Sequence, residues 1–148
     1  MGGLSPEREV SIITGNSVLE ALNRKGLTAL PIHVDHNIGG TFKSNPIDVA
    51  FLALHGTFGE DGCIQGLLEY FKIPYTHSGI LSSMNSMDKI ISKKTFNKNK
   101  IRTPVYVELN QINYLNILKK KNILDLGLFY PLVLKPSNEG SSIGVKIC

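Results

Sequence analysis

The stretch IDVAFLAL, residues 47–54, runs straight into His55 and then into GTFGEDG, residues 56–62. Eight nearly uninterrupted apolar residues suit a parallel strand covered on both faces, and the polar glycine-rich segment after it suits a turn into a helix. Residues 63–71 are that helix, with Leu67, Leu68 and Phe71 as its apolar face. Upstream, residues 11–25 have helical spacing: Val18, Leu19 and Leu22 share a face, Gly15 lies one turn earlier, and Gly26 is placed to stop the helix. Residues 27–34 are β-like, with Pro31 marking an end or an edge, and 36–46 form a polar connection. Strand, helix, strand, glycine loop and helix in this rhythm predict an α/β protein with an open parallel sheet. Ligands of such sheets bind outside the carboxyl ends of the strands. The glycine loops at 2–9 and 55–62 would both lie at that edge. The first, GGLSPERE, has no strand before it, so the chain is expected to lack the sheet's first strand.

Further along, PYTHSG at 74–79 is a third short turn, and a helix is expected from Met84 to Asn97 with Met84, Met87, Ile90 and Ile91 on one face. Apolar content falls and lysine and asparagine accumulate over 93–100, which places a domain boundary between 1–92 and 93–148. Residues 105–109 read as a strand. Residues 110–122 read as a helix with an Ile112, Leu115 and Leu118 stripe and Lys119, Lys120 and Lys121 in its last turn, where the helix dipole favours cations. The chain then passes from Leu132-Val133-Leu134 through KPSNEGSSIG, residues 135–144, to a returning strand at 143–147. Gly140 lets backbone N–H groups approach an anion, Ser137, Ser141 and Ser142 add hydroxyl donors, and Lys135 adds a positive charge. Taken alone, this segment fits a phosphate cradle or a surface hairpin turn.

Composition narrows the classes. Of 148 residues, 42% are apolar and 19% charged, which is globular rather than disordered. The net charge of +4 is modest, and the basic run from Lys89 to Lys121 lacks interleaved aromatics, so a solvated helix face is expected and no nucleic-acid partner. Cys63 and Cys148 form no framework, no apolar run reaches membrane length and no signal-peptide pattern is present; the expectation is a cytoplasmic protein with no membrane partner. His33 and His36 lack further ligands at metal-like spacing and read as loop histidines. No Walker loop and no nucleophile elbow occur. Glu7 and Glu9 are open to two readings, an ordinary acidic first turn or a carboxylate that pairs with an ammonium group. His55 ends a strand, where it can hydrogen-bond a carboxylate or move a proton. Glu60 and Asp61 can equally be helix caps.

Five motifs in order resemble a known family: Gly-Gly-x-Ser-x-Glu-Arg-Glu-Val-Ser at 2–11, Ala-Leu-His-Gly-x-x-Gly-Glu-Asp-Gly at 53–62, Pro-Tyr-Thr-x-Ser-Gly at 74–79, Ser-Met-Asp-Lys at 86–89, and Lys-Pro-x-x-Glu-Gly-Ser-Ser-x-Gly at 135–144. They are similar to the D-alanine–D-alanine ligases of the ATP-grasp superfamily. The resemblance implies a Rossmann-like pre-ATP-grasp domain followed by the beginning of an α+β ATP-grasp domain. It implies ATP-dependent joining of two D-alanines through an acyl phosphate, for peptidoglycan precursors. Holding two zwitterions and a triphosphate in one closed site makes proximity and charge neutralisation the main sources of catalysis.

By the same resemblance, Glu7 would bind the ammonium of the first D-alanine, Ser141 would orient that glutamate, and His55 would serve the D-alanine subsite. Lys89 and Lys135 would contact ATP phosphates, under a loop carrying Glu139, Gly140, Ser141 and Ser142. D-alanine and ATP are the implied small-molecule partners, and such ligases are typically homodimers. The Mg2+ ligands of the family would lie beyond Cys148, as would its adenine pocket. A fragment shortened at both ends is therefore expected, without ligase activity on its own. The alternatives are a D-alanine–D-lactate or D-alanine–D-serine ligase fragment, and a non-catalytic remnant that binds nucleotide or a partner.

Overall fold

A computed structural model describes residues 1–119 and 123–148. Helix α1 covers Arg8–Arg24, α2 Ile38–Ser44, α3 Cys63–Tyr70, α4 Ile80–Met87, α5 Lys89–Lys98 and α6 Tyr114–Leu118. A 3-10 turn at Ile123–Leu126 leads to β1, Val133–Leu134, and β2, Lys146–Ile147. The arrangement is α/β, but the expected open sheet is reduced to parallel contacts between extended segments, at Gly2 with Val34 and at Ala50 with Tyr75.

The chain does not begin at a bare turn. The Met1 ammonium donates to Ile32 O at 2.8 Å, Val34 N–H donates to Met1 O at 2.9 Å, and Gly3 N–H donates to Val34 O at 3.3 Å. Residues 1–3 thus act as a short strand alongside 32–34, and burial holds the Met1 amine below its usual pKa. A second pairing is made by Ala50 N–H on Pro74 O at 2.8 Å and Thr76 N–H on Ala50 O at 3.0 Å.

Ser11, fully buried, stitches the two pairings together. Its hydroxyl accepts from Gly2 N–H at 2.8 Å and donates to Ala53 O. Its position on α1 is four residues before Gly15 and seven before Val18, so the helix turns it inward with the face that packs.

The core gathers Val34, Ile38, Leu54, Ile64, Leu68 and Ile73, with Phe42, Leu67 and Phe71 packed against it. The 47–54 run is not covered on both faces as expected. Ala53 and Leu54 are buried, whereas Val49 is 59% and Phe51 47% exposed, Phe51 meeting the His77 ring edge-on at 5.3 Å between centroids.

Three further expectations are corrected. The single helix from Met84 to Asn97 is two helices, because Asp88 takes an extended backbone (φ −80°, ψ 108°) and its carboxylate accepts from Ile90 and Ile91 N–H, capping α5. Residues 105–109 have no strand partner among the described residues, and Val105 is exposed. The helix over 110–122 is shortened to α6, since Asn110 Oδ1 accepts from Ile112 N–H at 3.0 Å and Asn113 N–H at 2.9 Å and so holds a turn there. Ile112 of the expected stripe is consequently exposed; Lys120, Lys121 and Asn122 lie outside the described residues.

The hairpin near the C-terminus forms as the sequence leads one to expect. β1 and β2 pair antiparallel with Val133 opposite Ile147 and Leu134 opposite Lys146, and Leu132 and Cys148 exchange both backbone hydrogen bonds.

Candidate active site

Two loops on the ordered half and one from the hairpin meet at Glu7, the residue before α1. Ser5 makes the first link: its hydroxyl donates to His55 O at 2.7 Å and accepts from Glu7 N–H at 3.2 Å, joining the N-terminal turn to the end of the 47–54 run. Gly56 follows with φ +70°, a region costly for residues with a Cβ. A Cβ there would lie 2.5 Å from Glu7 Oε2 and 3.2 Å from Ser5 Cβ, so only glycine lets the turn close on the carboxylate.

The 55–62 turn is wound by its own acids. Glu60 Oε2 accepts from Gly56 N–H at 2.7 Å; Asp61 accepts from Phe58 N–H at 2.7 Å and Cys63 N–H at 3.1 Å, at the head of α3. Burial raises the Asp61 pKa, but the hydrogen bonds from Phe58 and Cys63 outweigh it and leave the carboxyl below its usual value. Burial, then Asp61, pushes the Cys63 thiol up. The N-cap of α3 is Gly62, without a side-chain cap bond, so neither acid is the cap expected; Asp61 ties the loop to the first N–H of α3 and Glu60 braces the turn.

The 135–144 loop reaches the same place from the other end of the chain. A Cβ on Gly140 would lie 2.6 Å from Glu7 Oε2. The Glu7 carboxylate therefore sits between the backbones of Gly56 and Gly140, half-buried, and it makes no hydrogen bond or ion pair among the described residues.

Lys89, at the start of α5, holds the loop in position. Its N–H donates to Ser137 O at 3.0 Å, and its ammonium donates to Ser137 O at 3.3 Å and to Glu139 O. Two of the three ammonium donors thus go to loop carbonyls.

Lys135 is exposed and makes no hydrogen bond or ion pair among the described residues. Burial, and then the Lys135 charge, holds the Lys93 amine below the usual lysine range, so cations accumulate beside the loop. Lys93 itself donates to Thr103 Oγ1 at 2.9 Å and Pro104 O at 2.8 Å, and lies 4.9 Å from the Tyr106 ring centroid.

Among the residues singled out from sequence, Glu7, His55, Lys89, Glu139 and Gly140 come together. Ser141 and Ser142 are exposed on the loop, Ser141 at φ +51°, and the Ser141 hydroxyl makes no hydrogen bond to Glu7. Gly140, rather than Ser141, is the loop residue that abuts the carboxylate.

Sequence reasoning missed three supports, Ser5, Ser11 and Thr14. Ser5 stands two residues before Glu7 in a turn, where a hydroxyl commonly bonds nearby backbone; that signal was available. Among the described residues no three His, Cys, Asp or Glu side chains gather as a metal would require, and no helix is long and apolar enough to cross a membrane.

A family model described as the D-Ala D-Ala ligase N-terminus matches residues 36–78. Over 99% of its length the chain is 50% identical to a D-alanine–D-alanine ligase of Pelagibacter ubique, of which it covers 48%. Against the ligase of Carboxydothermus hydrogenoformans, identity is 46% over 98% of the chain and 46% of that relative. Over nearly its whole length the chain is thus similar to the N-terminal half of D-alanine–D-alanine ligases. Its fold agrees: a crystal structure of the Bacillus anthracis ligase superposes with a TM-score of 0.81 at 44% identity, over all of this chain and 47% of that one. A second structure of that ligase, complexed with ATP, also gives 0.81, at 43% identity over 99% of this chain and 47% of that one. The chain spans about half the length of the curated relatives it matches.

Proposed function

We propose that this chain supplies the first D-alanine subsite and the phosphate-gripping loop of an ATP-dependent D-alanine–D-alanine ligase. The observation that carries this reading is the Glu7 carboxylate, half-buried between Gly56 and Gly140 with no partner of its own. A carboxylate so placed favours a cation, and the ammonium of a small amino acid fits the need without a protein side chain to supply it. The choice of D-alanine rests on the names of the relatives.

In this reading Glu7 binds the ammonium, and His55, beside Gly56, serves the same subsite. Lys135 offers its ammonium to ATP phosphates, and Lys89 does so with the donor left after it has pinned Ser137 and Glu139. The backbone of Gly140 and the hydroxyls of Ser141 and Ser142 complete a cover over the phosphates, excluding water from an acyl phosphate. ATP fits the exposed lysine and hydroxyls of the loop. Mg2+ does not fit the described residues, because no three acidic or imidazole groups converge.

Residues 1–92 then form the substrate-binding domain and 93–148 the beginning of the nucleotide-gripping one, with α5 shared across the division.

The test uses a ligase of full family length carrying these residues. Dipeptide formation from D-alanine and ATP is expected, and Glu7→Gln should raise the half-saturating D-alanine concentration at least about tenfold, equivalent to about 1.4 kcal/mol. Unchanged D-alanine dependence would refute the assignment. The 148 residues alone are expected to form no dipeptide.

A further inference from the structure

On the ordered side of the site, His55 is steadied from α1, where the Thr14 hydroxyl lies 3.0 Å from its Nε2. The 135–144 loop has no buried residue of its own, so its placement comes down to what residues 137–139 touch. Lys89 takes two of their carbonyls, Ser137 O through its N–H and its ammonium, and Glu139 O through its ammonium. Between those two residues, the Asn138 side chain turns back to Asp88, the residue before Lys89.

Asp88 divides its carboxylate between two tasks. Oδ1 accepts from Ile90 N–H at 2.8 Å and Ile91 N–H at 3.0 Å and so caps α5. Oδ2 faces the Asn138 amide. That amide stands between Asp88 Oδ2 and Ser137 O, both acceptors, so its nitrogen belongs on that side. Placed so, it donates to Asp88 Oδ2 at 3.2 Å and to Ser137 O at 3.3 Å. The bend that aims Asp88 is itself tied, because the Ser92 hydroxyl lies 2.7 Å from Asn85 O and 3.2 Å from Ser86 O at the end of α4. The Lys89 ammonium meets neutral carbonyls and forms no ion pair among the described residues, so its charge is not cancelled.

We propose that Asp88 and Asn138 are positioning residues, a carboxylate–amide clasp that sets residues 137–139 against Lys89 and aims its ammonium at a phosphate. The cap of α5 uses one carboxylate oxygen, and the second serves the loop. Because the donor is an amide, the clasp orients the loop without adding a cation and without pairing off Lys89. The phosphate half of this inference rests on the ATP reading proposed above; the clasp stands on the hydrogen bonds alone.

Amide hydrogen exchange of the 148-residue chain tests the clasp, read as protection factors so that sequence effects on intrinsic rates drop out. Asn138→Ala should lower the protection of Lys89 N–H, which bonds Ser137 O, at least about fivefold, while Ile90 and Ile91 N–H keep theirs. Asn138→Asp sets carboxylate against carboxylate and should lower it further. Adding Asp88→Asn to Asn138→Asp keeps an oxygen for the cap and again faces a donor with a carboxylate. Lys89 protection should then return to within about twofold of native. Native protection in Asn138→Ala, or a double variant no better than Asn138→Asp, overturns the clasp.

In a ligase of full family length carrying these residues, Asn138→Ala should raise the half-saturating ATP concentration about fivefold, and the double variant should lie near native. Lost protection with unchanged ATP dependence would overturn the aiming of Lys89. Unchanged ATP dependence in Lys89→Gln would instead overturn the phosphate reading, and the exchange data decide the clasp separately.

Discussion

Residues 1–83 and residues 84–148 are built on different terms. Every buried residue among those described falls in the first stretch, from Gly2 to Ser83. The second carries the hairpin, yet Val133, Leu134 and Ile147 are all exposed, Ile147 by 80%. Its order comes from backbone pairing between β1 and β2 and from Lys89 gripping Ser137 and Glu139. A two-stranded ribbon without an apolar face to cover is marginal in water. The first stretch is therefore held by its buried core, while the second is held by hydrogen bonds among its own residues and docks at Glu7 through Gly140. The candidate site lies where they meet, so half of it is rigid and half is docked.

The largest effect should separate the two stretches by stability. Leu68→Ala removes a fully buried side chain and should cost about 2–5 kcal/mol in urea denaturation. Ile147→Ala should change stability by less than about 0.5 kcal/mol. Similar losses at both positions would break the contrast.

Next comes Ser11→Ala, which strands Gly2 N–H and Ala53 O inside the first stretch. A loss of about 1–3 kcal/mol is expected, and a neutral result would mean the two pairings do not need the hydroxyl.

The two glycines around Glu7 sharpen the comparison at the site itself. Gly56→Ala forces a Cβ onto a left-handed residue and against Ser5, and should cost about 1–2 kcal/mol. Gly140→Ala meets only the end of the Glu7 side chain, which can move; stability should stay within about 0.5 kcal/mol while the loop loosens. Hydrogen exchange at Lys89 N–H, which reports the bond to Ser137 O, should speed up in Gly140→Ala alone.

The smallest effect depends on pH. Asp61 has a folded pKa below its unfolded one, so its contribution is present above the unfolded value and is lost as pH falls through the folded value. Asp61→Asn should therefore lower the urea midpoint near neutrality, and the difference should close in acid. A gap that persists below the carboxylate range would point to packing instead.

How much of this was legible follows the same division. α1, α3 and the glycine loops could be read because local periodicity and burial agree there, whereas the 47–54 run, apolar throughout, does not reveal that one of its faces stays open. The split at Asp88 was hidden because an N-cap inside an apolar pattern gives the same spacing as a continuous helix. Residues 105–109 alternate like a strand, but a strand also needs a neighbour, and none of the described elements provides one. At the site, Glu7, His55 and the 135–144 loop were visible as residue types. That Gly140 rather than Ser141 would meet Glu7 depends on loop conformation, which spacing does not carry. Thr14 was invisible for the same reason, since its partner is 41 residues away.

The most direct measurement is a D-alanine titration of the 15N-labelled chain, followed at the Gly56 and Gly140 amides. Binding at Glu7 predicts that both amides shift together with one saturation curve, and that Glu7→Gln abolishes both shifts. Shifts that survive Glu7→Gln, or that appear at Gly56 without Gly140, would contradict a site shared between the ordered half and the docked loop.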